Sequence, residues 1–208
     1  MIKRYIFDLD GTLLTGDYQE TDSFLRDMFG EQANDFIQNM THILDRYEKA
    51  FPRYDYETLA TYLKAKTGLP FTKDIIRDWD MMVEAVTDTK EEGVQETLEY
   101  LKSQDKSLVV LTNWFGRSQE QRLKRADLLQ YFDTVYGGDV ATKPHREAYW
   151  YAAAGRKPSE CLCVGDNVDN DYIGPRACAM HSVLYDKNNN HHKSLVKIKS
   201  FEELKKIK

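Results

Sequence analysis

Tyr5-Ile6-Phe7-Asp8-Leu9-Asp10-Gly11-Thr12-Leu13 is the stretch on which the reading of this chain turns. Residues from Ile2 to Phe7 are β-rich and apolar and end abruptly at charge, as a buried parallel strand does where it reaches the sheet edge. Ligands of open α/β sheets sit in the crevice outside the carboxyl ends of the strands. Side chains alternate along an extended chain, so Asp8 and Asp10 are expected on one side, and Gly11 then permits a sharp turn. Two like charges so close call for a cation, and oxygen-only ligation favours Mg²⁺. Asp and Gly also favour turns in any setting, so the segment needs support from elsewhere in the chain.

Length and charge narrow the class. The 208 residues suffice for one α/β domain of ordinary size plus an insertion, and 41% hydrophobic content supports a substantial core. A net charge of −5 argues against general nucleic-acid binding, which needs clustered Lys and Arg. No apolar run approaches the roughly 20 residues that span a bilayer, and the stretch after Lys3-Arg4 is broken at Asp8, unlike a signal peptide. Neither membrane nor nucleic acid is therefore an expected partner. Cys161, Cys163 and Cys178 form an odd, sparse set that reads as reduced core thiols of a cytoplasmic protein.

Organisation along the chain is uneven. From about Thr15 to Asp88 the pattern is helical throughout, with helices expected near Asp22 to Phe29, Ala33 to Lys49, Tyr56 to Lys66 and Ile75 to Val86. After about Glu92, short apolar runs at Ser107 to Leu111, Thr134 to Tyr136, Cys161 to Val164 and His181 to Tyr185 alternate with helical segments near Val94 to Ser103, Ser118 to Ala126, His145 to Ala154 and Asp171 to Ala179. Such alternation predicts an α/β fold: a Rossmann-like parallel sheet with helices on both faces, its first strand at Lys3 to Asp8. The expected division is a catalytic core of residues 1–14 and 89–208 and an inserted all-helical domain of residues 15–88.

Further motifs fall at the ends of those strands. Leu108-Val109-Val110-Leu111 runs into Thr112-Asn113, where a hydroxyl and following backbone N–H groups suit phosphate oxygens. Lys143-Pro144 opens the next helical segment, and Leu162-Cys163-Val164 leads into Gly165-Asp166-Asn167-Val168-Asp169-Asn170-Asp171. Taken singly, Thr112-Asn113 also fits a helix cap and Lys143 a surface lysine. The ordered set of four, however, resembles the four motifs of the haloacid dehalogenase superfamily, in its phosphatase branch. The likeness extends to the helical stretch Gly93 to Lys102, to Phe201-Glu202-Glu203-Leu204 as a closing helix, and to Gly174 through Met180, where Ala179 stands in place of the family's usual Gly.

That resemblance implies roles. Asp8 would be the nucleophile that forms an aspartyl-phosphate, and Asp10, which the dehalogenases proper lack, would protonate the leaving alcohol and then activate water. Mg²⁺ would be held by Asp8, the backbone carbonyl of Asp10 and Asp166, with Asp171 orienting Lys143 or a metal-bound water. Thr112, Asn113 and Lys143 would hold the transferring phosphoryl group. The insertion would be a helical cap hinged near Leu14 to Asp17 and Thr87 to Glu92, with Arg46, Lys49, Arg53 and Tyr54 as residues able to meet the leaving group. A covered site suits a small phosphorylated metabolite such as a sugar phosphate or nucleotide. A phosphosugar mutase or a phosphonate hydrolase, the latter requiring a cap lysine such as Lys49, is the alternative within the superfamily. A phospho-accepting signalling or binding domain fits less well, because it lacks so long an insertion.

Overall fold

The computed structural model describes residues 1–207. Strands β1 (Arg4–Phe7), β4 (Ser107–Leu111), β5 (Thr134–Tyr136), β6 (Cys161–Gly165), β7 (His181–Tyr185) and β8 (Lys197–Ile198) form one six-stranded parallel sheet in the order β5-β4-β1-β6-β7-β8. The chain leaves β1 in one direction for β4 and β5 and in the other for β6 to β8. The carboxyl end of β1 is therefore the switch point where a crevice opens. Strict alternation along the central strands feeds two cores. Tyr5, Phe7, Leu108, Val110, Leu162 and Val164 face one cluster, while Ile6, Val109, Leu111, Cys161 and Cys163 face the other. Helices α5 (Val94–Ser103) and α6 (Gly116–Arg125) cover the first face, and α7 (Arg146–Ala153) covers the second.

Helices α1 (Gln19–Phe29), α2 (Ala33–Ala50), α3 (Tyr56–Thr67) and α4 (Lys73–Ala85) enclose a separate apolar cluster built on Leu25, Phe36, Tyr47, Leu63, Ile76 and Trp79. Asp55 and Thr72 cap α3 and α4, each accepting from a backbone N–H in the first turn. Phe115, from the loop after β4, is buried in this same cluster, so the four helices pack directly on the sheet's edge loops.

Several expectations are corrected. The stretch read as wholly helical is bounded by two strands, β2 (Leu14–Asp17) and β3 (Thr87–Lys90), which pair antiparallel in a two-stranded ribbon. The segments expected as free hinges are thus hydrogen-bonded to each other. Pro144 is not in the first turn of α7; a cis Lys143–Pro144 peptide precedes a helix that starts at Arg146. The helix expected from Asp171 is a π-helical turn (Val168–Ile173) followed by the short α8 (Gly174–Ala177), and the closing helix is 3₁₀ (Phe201–Lys206). The three cysteines are buried and unpaired, and among the described residues no helix is long and apolar enough to cross a membrane.

Candidate active site

Three adjacent strands deliver the site. Asp8 follows β1, Thr112 follows β4 and Asp166 follows β6, so residues far apart in sequence meet at one edge. They line a cavity of about 270 Å³ together with Asp10, Asn113, Lys143 and Asp171. Close approach at this edge depends on glycine. Gly11 has φ +74°, and a Cβ there would lie 2.6 Å from an Asp166 carboxylate oxygen.

Two separate networks hold the two motif aspartates. In the first, the buried Lys143 ammonium donates to Asp8 Oδ1 at 2.6 Å and to Asp171 Oδ1 at 2.7 Å. Burial opposes the lysine's charge, but Asp171 and Asp8 outweigh it and hold its pKa above the ordinary value. Burial pushes the Asp8 carboxyl up despite Lys143, with Asp171 and Asp166 adding to the rise, and Asp166 is pushed up to about 6 by burial and by Asp171. Asp8, Asp166 and Asp171 each present an oxygen within 4.8 Å of the others. Three carboxylates against one lysine leave an excess of negative charge, and an all-oxygen donor set of this kind fits a hard divalent cation.

In the second network Asp10 turns away from that cluster. Its carboxylate accepts from Tyr18 Oη at 2.7 Å, Arg122 Nη2 at 2.6 Å and Gln119 Nε2 at 3.2 Å. Arg122 is fully buried and also grips Asp88, on β3, through Nε at 3.0 Å and Nη2 at 2.7 Å. Burial works against this guanidinium, yet the bonds to Asp88 and Asp10 more than offset it and hold its pKa above the usual arginine range.

Each expected residue can now be placed. Asp8, Asp10, Thr112, Asn113, Lys143, Asp166 and Asp171 all reach the one cavity. Asp171 accepts from the Lys143 ammonium and also presents an oxygen to the carboxylate cluster, and the Asp10 side chain lies outside that cluster. The Asn113 amide is occupied: Nδ2 donates to Lys143 O at 2.9 Å and Glu48 Oε2 at 2.7 Å, while Oδ1 accepts from Lys143 N at 2.7 Å. Its side chain fixes the lysine loop and leaves its main chain, beside the Thr112 hydroxyl, for a ligand. Of the four residues named on the helical segment, Tyr54 lines the cavity, whereas Arg46 and Arg53 are exposed elsewhere. Lys49 bridges Asp45 and Asp169 across the cleft mouth.

Arg122, Gln119, Tyr18, Asp88 and Glu48 were not anticipated. A signal existed for the first two. Gly116-Arg117-Ser118-Gln119-Glu120-Gln121-Arg122-Leu123-Lys124-Arg125 contains one large apolar residue, so a helix of that sequence packed on a sheet must bury polar side chains. Gln119 and Arg122, three apart, lie on the face it buries.

A parallel sheet carrying carboxylates and a buried lysine at its switch point is a site built for an anionic ligand with a cation, and comparison with known proteins gives the class and the family. A model of the haloacid dehalogenase-like hydrolases matches residues 2–178. The chain belongs to that family. It is 29% identical over 147 residues to a phosphorylated carbohydrates phosphatase of Thermotoga maritima, a match spanning 69% of this chain and 66% of that protein. It is 30% identical over 179 residues to the pyrophosphatase PpaX of Bacillus cereus, spanning 83% of this chain and 78% of that one. Its fold superposes on L-2-haloacid dehalogenase of Xanthobacter autotrophicus with a TM-score of 0.74 at 18% identity, covering 100% and 98% of the two chains.

Proposed function

We propose that this hydrolase is a Mg²⁺-dependent phosphatase of small phosphomonoesters that works through an aspartyl-phosphate on Asp8. The observation that carries the reading is the separation of Asp8 and Asp10, two residues apart, into different networks. One carboxylate sits among cation-seeking oxygens and the other is held apart, as a nucleophile and an acid–base must be. The names of the two relatives, a phosphorylated carbohydrates phosphatase and a pyrophosphatase, support hydrolytic release of phosphate, and the first of them supports an ester substrate.

Asp8, Asp166 and the main chain of Asp10, with Asp171 beside them, would hold Mg²⁺, which when bound screens charge between nucleophile and phosphate. Asp8 attacks phosphorus, and Lys143 together with the Thr112 hydroxyl holds the phosphoryl oxygens. Asp10, fixed by Arg122, Gln119 and Tyr18, hands a proton to the departing alcohol. It then takes one from the water that hydrolyses the acyl-phosphate. Residues 15–88 act as a cap over this cleft, carried on the β2–β3 ribbon, and exclude water during transfer. Lys49 is bridged to Asp169 and Asp45 and lines neither the cavity at Asp8 nor its neighbour, which favours phosphate esters over a phosphonate route needing a free cap amine in the site.

Hydrolysis of an aryl phosphate tests this directly. Activity should vanish with a chelator and return with Mg²⁺. Rapid-quench mass spectrometry should find one phosphoryl group on Asp8 in Asp10→Asn and none in Asp8→Asn. Full turnover without divalent ion, or a label on another residue, overturns the assignment.

A further inference from the structure

A second, larger cavity of about 440 Å³ adjoins the first, shares Asp10, Leu44, Glu48 and Asn170 with it, and lies between the helical segment and the sheet. Its position beside Asp10 makes it the place for the alcohol half of a substrate whose phosphate sits against Asp8. Most of the wall is apolar and aromatic, with Met40, Leu44, Trp79 and Trp114 contributing and the two indoles packed edge to face at 5.0 Å. Tyr18, Thr21, Thr41, Gln119 and Asn167 add uncharged polar groups. Its charged lining is entirely acidic, from Asp22, Asp45 and Glu48 besides Asp10.

Every cation near the cleft is already matched by two carboxylates. Lys143 is held by Asp8 and Asp171, Arg122 by Asp10 and Asp88, and Lys49 by Asp45 and Asp169. None is left to receive a negative charge on the alcohol side. One polar atom does await a partner: Asn170, 8% exposed and lining both cavities, has a buried Oδ1 with no hydrogen bond. A buried amide left unpaired costs stability unless a ligand satisfies it.

From this lining, and resting on the phosphatase reading above, we infer that the substrate is a phosphomonoester of an uncharged, largely apolar alcohol of ring size carrying one hydrogen-bonding function that meets Asn170. The cavity selects against esters whose alcohol half bears a carboxylate or a second phosphate, and against pyrophosphate, whose leaving group is itself an anion. Desolvating an anion beside Asp22 and Asp45, with every nearby cation already paired, is the repulsive element that gives discrimination.

The test compares benzyl phosphate, 4-carboxybenzyl phosphate and pyrophosphate with the Mg²⁺-loaded enzyme. In parallel, calorimetry measures binding of benzylphosphonate and 4-carboxybenzylphosphonate to Asp8→Asn. Benzyl phosphate should exceed its carboxylated analogue in kcat/KM by about a hundredfold, with pyrophosphate below both, and the phosphonates should differ in Kd in the same direction. Asp22→Lys should narrow the benzyl-to-carboxybenzyl ratio at least about tenfold by supplying the missing cation. Equal or inverted ratios, or pyrophosphate turned over faster than benzyl phosphate, overturn the inference. If no ester is hydrolysed while the phosphonate preference holds, the cavity reading stands and the phosphatase reading falls.

Discussion

Helices α5 and α6 have the same length, flank the same strand and cover the same face of the sheet, yet they bury opposite kinds of side chain. The buried face of α5 is Val94, Thr97, Leu98 and Leu101, whereas α6 buries Ser118, Gln119 and Arg122 beside Leu123. Apolar burial stabilises at about 25 cal/mol per Å², so α5 holds the domain together. A buried guanidinium carries a desolvation cost of several kcal/mol that its two carboxylates only offset. What α6 gains is position: its Arg122 and Gln119 fix Asp10, and Ser118 with Trp114 donates to the buried Asp80 of α4 at 2.7 Å each. One helix serves stability and its neighbour serves the cleft.

Substitutions that exchange these roles would break the contrast. Arg122→Leu should reduce kcat by about a hundredfold or more through loss of Asp10 positioning, and should destabilise by about 3–5 kcal/mol because Asp88 is left buried without a partner. Arg122→Lys keeps the charge but not the fork, so steady-state kinetics should show most of the catalytic loss with a smaller drop in Tm. Leu98→Ala, on α5, should cost about 2–5 kcal/mol in denaturant unfolding and leave kcat/KM of the folded enzyme unchanged. A large kinetic defect in Leu98→Ala would erase the distinction between the two helices.

A fourth prediction sharpens the point that charge in the cleft costs stability. Burial pushes Glu48 up to about 7, although Tyr54 and Asn113 donate to it. Between its ordinary value of 4.5 and about 7 the folded chain holds a proton that the unfolded chain has released, so stability falls as pH rises through that window. Glu48→Gln removes the charge while its Oε1 still accepts from Asn113 and its Nε2 donates to Tyr54 Oη in place of the bond accepted from that hydroxyl. Its Tm should match the native protein near pH 5 and exceed it near pH 8, with a stability gain of a few kcal/mol at most. The smallest effect concerns backbone alone. Ala179 sits at φ +60°, a left-handed conformation that costs an L-residue about 1–2 kcal/mol. Ala179→Gly should therefore raise stability by about 0.5–1 kcal/mol after the entropy of the unfolded glycine is offset, with no change in turnover.

Much of this architecture can be read from the chain alone, and the division has physical causes. Ser107 to Leu111, Thr134 to Tyr136 and His181 to Tyr185 are strands with the expected bounds, because buried parallel strands write themselves as apolar runs between helical patterns. The residues of three motifs converge because each lies at such a strand's end, while Lys143 arrives on the loop after β5 and is held there by Asn113. The ribbon was illegible. Leu14-Thr15-Gly16-Asp17 and Thr87-Asp88-Thr89-Lys90 are short, polar and mostly exposed, and nothing local indicates that two segments some seventy residues apart will pair. Arg122 was partly legible, since a helix with one large apolar residue must bury polar side chains, but which of its cations turns inward is fixed only by the packing.

The ribbon also bears on how such a molecule can be altered. Because Asp17 lies opposite Thr87, the helical segment leaves and rejoins the sheet domain through neighbouring residues about 5 Å apart. The pair is the stem of a hairpin, and a two-residue Asn-Gly turn could close it in place of residues 18–86 without shifting a single strand of the sheet. Any helical module whose two ends lie that close can be grafted onto the same stem, provided it shelters Trp114 and Phe115, which the present helices cover. The helical segment is thus tied to the sheet domain by four pairs of ribbon residues and by the contacts of Glu48 and Asp80 with Asn113, Trp114 and Ser118, which a grafted module would have to replace.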